Sequence, residues 1–128
     1  LLLKVSSLAA LSRSNAVRAA LLIPVAGRCG LVVMMYMLPY VRREGGLGTL
    51  FFAGNTGWPA LFSMIIVLIM GFAVNGIPGL ITVTLAMITV MLFSLYCRRK
   101  IGGATGDTLG AACEIAEAAV VFCFILNL

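Results

Sequence analysis

GGATGDTLGAACEIAEAAVVFCFILNL, residues 102–128, is an apolar run of helix length that keeps three carboxylates. They are Asp107, Glu114 and Glu117, out of four acidic residues in the whole chain. The basic triplet Arg98, Arg99 and Lys100 stands just before the run. A charge at the centre of a membrane helix costs about 2.5–3.5 kcal/mol on insertion scales. An apolar helix with no functional use for carboxylates rarely carries three, so the rest of the chain has to explain them.

The remainder has the same apolar character. Of 128 residues, 62% are hydrophobic and 10% charged, where a soluble domain carries about 25% charge. Mean hydropathy is +1.17. That balance indicates an all-α, polytopic helical membrane protein. The net charge of +5 is explained by Lys and Arg at the flanks of membrane helices. The basic residues are scattered singly or in twos and threes without a nucleic-acid-binding motif, so no nucleic acid is expected as partner. Cys29, Cys97, Cys113 and Cys123 form no CxxC pair and lie in or beside apolar runs, which suits buried free thiols. The absence of histidine excludes His-based triads, the usual zinc sites and His-ligated haem. The chain opens Leu1-Leu2-Leu3, with no Met and no basic region of a signal peptide. It is expected to be an internal or C-terminal piece of a longer protein.

One transmembrane helical domain is expected over residues 1–128. It comprises about four spans, at 19–40, 59–75, 79–97 and 109–128, plus the tail of an upstream helix at Leu1–Leu11. Ser12 to Asn15 is a polar break. Pro24 should kink the first span. Arg28 lies about 14 Å from Ala19 by helical rise, deep enough to want a wet cavity or a carboxylate. Residues 41–58 form a loop with Gly45, Gly46, Gly48, Gly54 and Gly57. Such a loop lets backbone approach a ligand, but its spacing is no Walker or Rossmann fingerprint. Trp58 suits an interface anchor. Asn75-Gly76-Ile77-Pro78 reads as a tight turn. Thr82, Thr84 and Thr89 can bond to their own helix backbone. Thr105 or Asp107 is a fair N-cap for the last span. Two spans and a turn join the loops 41–58 and 98–106, so both lie on one face. Arg42, Arg43, Arg98, Arg99 and Lys100 make that face cytoplasmic by the positive-inside rule. Arg13 and Arg18 then fall on the opposite face, against the rule.

At 100° per residue, Asp107 and Glu114 differ by about 20° and Glu117 lies about 60° further round. Gly103, Gly110 and Ala111 share that side, so another helix or a ligand can come close. Glu114 and Glu117 sit about 10 and 15 Å beyond Asp107. Arg28 and Arg18 are the sequence candidates to balance them. Three readings are open at this point. One is a structural salt bridge. Another is a divalent cation such as Mg²⁺, held by carboxylates together with substrate phosphates. The third is ion or proton transport.

RKIGGATGDTLGAACEIAE resembles the C-terminal signature of the cobalamin synthase family, the adenosylcobinamide-GDP ribazoletransferases. In that family a GG-x-TGD-x-LGA stretch precedes two glutamates three apart. Gly102, Gly103, Thr105, Gly106, Asp107, Leu109, Gly110, Ala111, Glu114 and Glu117 fall on it. Gly27-Arg28 matches a Gly-Arg that opens a family helix. Pro39, Tyr40 and Arg42 with Gly46 and Gly48 resemble its PYxR-x-x-G-x-G loop. The resemblance covers the second half of a family member. The DG-x-x-D-type motif of the first half is absent, since the chain has one aspartate.

What the resemblance implies is a multi-pass transferase of the bacterial inner membrane. It joins α-ribazole, or its 5′-phosphate, to adenosylcobinamide-GDP, giving adenosylcobalamin or its phosphate and GMP. The missing N-terminal half of the same protein and the bilayer are then its partners, and an oligomer is left open. The isolated piece is expected to be inactive. Asp107 and Glu114 are the expected catalytic residues. Asp107, Glu114 and Glu117 are expected to add to a Mg²⁺ site. Arg28, Arg42, Gly46, Gly48 and Thr105 are expected to contact substrate. The rival readings are a small transporter or ion-conducting subunit using Glu114 and Glu117, and an assembly subunit packing through Gly103, Gly110 and Ala111.

Overall fold

The computed structural model describes residues 2–41 and 57–126, and these form an all-α fold. Helix α1 runs Leu2–Ala10, α2 Arg13–Met37, α3 Gly57–Ile101 and α4 Gly106–Ile125. Helices α2, α3 and α4 are long and apolar enough to cross a membrane, and the molecule is a multi-pass membrane protein. Helix α2, at 25 residues, is about 38 Å long, against a hydrocarbon core of about 30 Å.

The helix boundaries follow from local chemistry. The Ser12 carbonyl already accepts from Ala16 N at 2.8 Å. The polar break therefore shrinks to Leu11 and Ser12, and Arg13 and Arg18 belong to α2 rather than to a segment before it. Pro24 lies inside α2, and the helix continues through it. It ends at Met37 because Pro39 pushes Leu38 into extended backbone (φ −127°, ψ 137°). Helix α3 ends at Ile101, where Gly102 adopts φ 82°, a conformation that favours glycine. Helix α4 is opened by a capping box. The Thr105 hydroxyl accepts from Thr108 N, and the Thr108 hydroxyl accepts from Thr105 N at 2.8 Å.

Helix α3 is 45 residues long, and as a straight rod it would measure about 68 Å, twice the bilayer core. It breaks at Asn75 (φ −141°, ψ 17°) and Gly76 (φ 62°, ψ −140°). A Cβ on Gly79 would lie 2.0 Å from the Gly71 carbonyl oxygen. Residues eight apart in one straight helix are about 12 Å apart, so the chain turns back and α3 is a hairpin of two arms. Thr82, Thr84 and Thr89 donate to the carbonyls of Pro78, Leu80 and Leu85 at 2.7–2.9 Å. Their hydroxyls are thus satisfied within their own helix.

Helix α2 packs against both α3 and α4. The contact surfaces hold many small residues and valines, among them Ala19, Ala26 and Gly30 on α2, Ala86 and Val90 on α3, Ala112 and Ala116 on α4, together with the fully buried Leu22 and Met34. Large side chains such as Phe62, Ile66, Ile69, Phe72, Ile81 and Leu92 point outward. Small residues inside and large apolar ones outside suit a bundle whose solvent is lipid. One end gathers the start of α2 and the hairpin turn, where Arg18 Nη1 donates to Asn75 Oδ1 at 2.9 Å. The other end gathers residues 38–41, the two ends of α3 and the loop 102–105.

Candidate functional site

At that second end two separate stretches of sequence are joined through backbone. Ala104 N donates to Pro39 O at 2.8 Å, and Val41 N donates to Ala104 O at 3.0 Å. This isolated parallel bridge pairs Tyr40 with Ala104. The approach is so close that a Cβ on Gly103 would stand 2.2 Å from the Pro39 oxygen. The GGATGD loop is therefore held against the Pro39-Tyr40 segment, and α4 starts from a fixed point. Asp107, in the first turn of α4, is exposed and favoured there by the helix dipole. Arg98, Arg99 and Lys100, in the last turn of α3, are exposed at the same end. This end of the bundle thus carries an exposed carboxylate, three exposed cations and backbone joined by two hydrogen bonds.

Deeper along α4 the two glutamates meet a partner that sequence reasoning missed. Lys4 Nζ lies 2.7 Å from Glu114 Oε2 and also binds Glu117 Oε2. Among the described residues these are the ion pairs of the molecule. The Lys4 side chain is 12% exposed, that of Glu117 23% and that of Glu114 65%. Glu117 rests on Gly27, where an added Cβ would come within 2.6 Å of Glu117 Oε1. Beside it the Cys113 thiol donates to Gly27 O at 3.2 Å. The signal for Lys4 was present in the sequence: it is the one charge in the apolar stretch Leu1–Leu11.

The expected counter-ions go elsewhere. Arg18 bonds to Asn75 at the far end of the bundle. Arg28 is exposed and forms no ion pair with a carboxylate of the described residues. It follows Gly27 on α2, and the glycine, not the arginine, meets the carboxylate. Thr105 spends its hydroxyl on the cap of α4. Arg42, Gly46 and Gly48 lie outside the described residues. Gly110 has nothing within 4 Å of an added Cβ, so among the described residues it packs against no helix.

Three carboxylates sharing one ion do not fit this arrangement. Asp107 is about 10 Å up the helix from Glu114, and Mg²⁺ takes its ligands at about 2.0–2.1 Å. No group of three His, Cys, Asp or Glu among the described residues could hold a metal. The Lys4 ammonium occupies the position between the two glutamates. Separately, an apolar cavity of about 670 Å³ opens between α2 and α3, lined by Val33, Tyr36, Met37, Trp58, Met64 and Met91 among others.

Residues 1–125 match the family described as cobalamin-5-phosphate synthase. Among curated relatives, a protein of Syntrophobacter fumaroxidans is 40% identical over 114 residues, 89% of this chain and 46% of the relative. One of Stutzerimonas stutzeri is 38% identical over 121 residues, 94% of this chain and 49% of the relative. One of Desulforamulus reducens is 34% identical over 128 residues, 99% of this chain and 51% of the relative. Each of the three is named adenosylcobinamide-GDP ribazoletransferase. The chain thus spans about half the length of the curated relatives it matches. No solved structure matches it.

Proposed function

The chain belongs to the cobalamin-5-phosphate synthase family, and from that premise we propose that it forms part of a membrane transferase acting on adenosylcobinamide-GDP. In this reading α-ribazole, or its 5′-phosphate, is joined to adenosylcobinamide-GDP, and GMP leaves. A ribose hydroxyl attacks a phosphorus of the pyrophosphate, and the bond from that phosphorus to the GMP oxygen breaks. Such chemistry depends mostly on positioning and on neutralising charge.

The observation that carries the reading is the backbone bridge between Tyr40 and Ala104. It brings Pro39 and Tyr40, which belong to one stretch that resembles the family, against the GGATGD loop, which belongs to the other. There Arg98, Arg99 and Lys100 are available to anionic phosphates, and the pinned loop fixes where Asp107 stands. In this proposal Asp107 and Glu114 are the catalytic carboxylates. Thr105 contributes by setting the start of α4, and Arg28, Arg42, Gly46 and Gly48 are assigned to substrate. When bound, Mg²⁺ would offset the charge of the pyrophosphate oxygens. Since the described carboxylates do not gather round one ion, its protein ligand from this chain is reduced to Asp107 or Glu114 singly, not the set of three. We assign this end of the bundle to the cytoplasmic side of the bacterial inner membrane, where five Lys and Arg of residues 41–58 and 98–106 outnumber Arg13 and Arg18 of the opposite end.

Ion conduction through Glu114 and Glu117 is not favoured, because Lys4 sits on both carboxylates. The test is product formation by membranes holding the complete protein, supplied with adenosylcobinamide-GDP and α-ribazole. Release of GMP together with the joined corrinoid supports the transferase. Ion flux in liposomes without nucleotide, and no such product, would point to the transporter instead.

A further inference from the structure

We infer that Lys4 is a positioning residue: it binds Oε2 of both glutamates, seats Glu117 on Gly27, and leaves Glu114 as the open carboxylate of the pair. The inference rests on the transferase reading above. It begins from charge: within the ion-paired group itself, one ammonium stands against two carboxylates. Glu117 alone would suffice to neutralise Lys4, and its side chain is the more buried of the two at 23% exposure. It is also wedged, because Oε1 faces the bare backbone of Gly27 at a distance that leaves no room for a methyl group. Glu117 is therefore held on two sides, by the lysine and by the glycine.

Glu114 is held on one side only. Its Oε2 bonds Lys4 at 2.7 Å, its side chain is 65% exposed, and among the described residues its other oxygen has no partner. A second carboxylate that is not needed for neutrality, in an otherwise apolar helix, is costly unless it is used. The cluster thus divides its labour. Glu117 anchors α1 to the α2–α4 contact, and Glu114 presents an acceptor-only oxygen to whatever donor or cation approaches α4. Lys4 fixes the rotamer from which it does so.

The experiment uses the complete protein in membranes and reads kcat, KM and the thermal unfolding midpoint in detergent. Lys4→Met should lower kcat per folded molecule at least about tenfold with KM for adenosylcobinamide-GDP nearly unchanged, the split expected of a lost positioning interaction. Lys4→Arg should restore most of that loss. Glu114→Gln should lower kcat by a similar factor while leaving the unfolding midpoint near that of the parent, since the Lys4–Glu117 pair persists. A Lys4→Met protein that unfolds earlier but keeps its kcat per folded molecule would make the lysine merely structural and overturn the inference, as would a fully active Glu114→Gln. A complete parent protein with no transferase turnover sinks the transferase reading and this inference with it. A working parent whose Lys4→Met variant is unimpaired sinks the inference alone.

Discussion

Among the described residues, Gly103 comes close to the backbone of Pro39 and Gly27 to the side chain of Glu117. At Gly103 a methyl group would meet the Pro39 carbonyl oxygen at 2.2 Å. That partner is main chain and cannot swing aside, so the Tyr40–Ala104 bridge has to open. Gly103→Ala should therefore cost about 1–3 kcal/mol, the range for forced overpacking. It should also lower turnover at least about tenfold through misplacement of Asp107. Unfolding midpoint and kcat of the complete protein, measured together, check both. At Gly27 the obstructing atoms belong to the Glu117 side chain, which can move, so the site there loses position before it loses its fold. Part of this was legible from residue types. Gly103 does meet another segment closely, but Gly110 faces open space among the described residues, and of the two N-cap candidates, Thr105 and Asp107, Thr105 is the cap. Lys4 stands out as a lone charge, but its partners were not legible, since its contact with Glu117 spans 113 residues of sequence and depends on α1 folding back at Leu11 and Ser12.

At the scale of elements the decisive feature is the hairpin in α3. Asn75-Gly76-Ile77-Pro78 reads as a turn, and the break falls at Asn75 and Gly76. Pro78 is accommodated within the second arm, because a proline near a helix start gives up a donor that has no partner there anyway. Gly76 carries φ 62° with ψ −140°, a region open essentially to glycine alone, where an L side chain costs about 1–3 kcal/mol. Gly76→Ala should lower stability by that amount without touching the opposite end of the bundle, where Tyr40 meets Ala104. A thermal unfolding series in detergent, with turnover per folded molecule as control, reads this out. The ends of the other elements were less legible. Helix α2 runs from Arg13 to Met37 rather than from 19 to 40. Polar residues such as Ser14 and Asn15 are tolerated in a first turn, whose N–H groups are free, and Pro39 acts one residue before itself. Apolar count alone registers neither effect.

For the whole molecule, the apolar composition and the spacing of basic residues were enough to read a multi-pass helical bundle. The arrangement of its ends was not, because it depends on contacts between distant segments. Arg18 with Asn75 marks one end, and Tyr40 with Ala104 marks the other. Single cysteines at Ile77 and Arg99, in a background freed of the four native cysteines, should react with an impermeant maleimide from opposite sides of the membrane. The Arg99 position should react from the cytoplasmic side. Labelling of both from the same side would mean that the second arm of α3 does not cross. In the proposed transferase, the pinned GGATGD loop would aim Asp107 at the reacting pyrophosphate. The most direct measurement is the turnover of the complete protein carrying Asp107→Asn, with membrane insertion and unfolding midpoint followed in parallel. A fall in kcat of at least about a hundredfold with insertion intact is the predicted result, and near-normal product formation would contradict it.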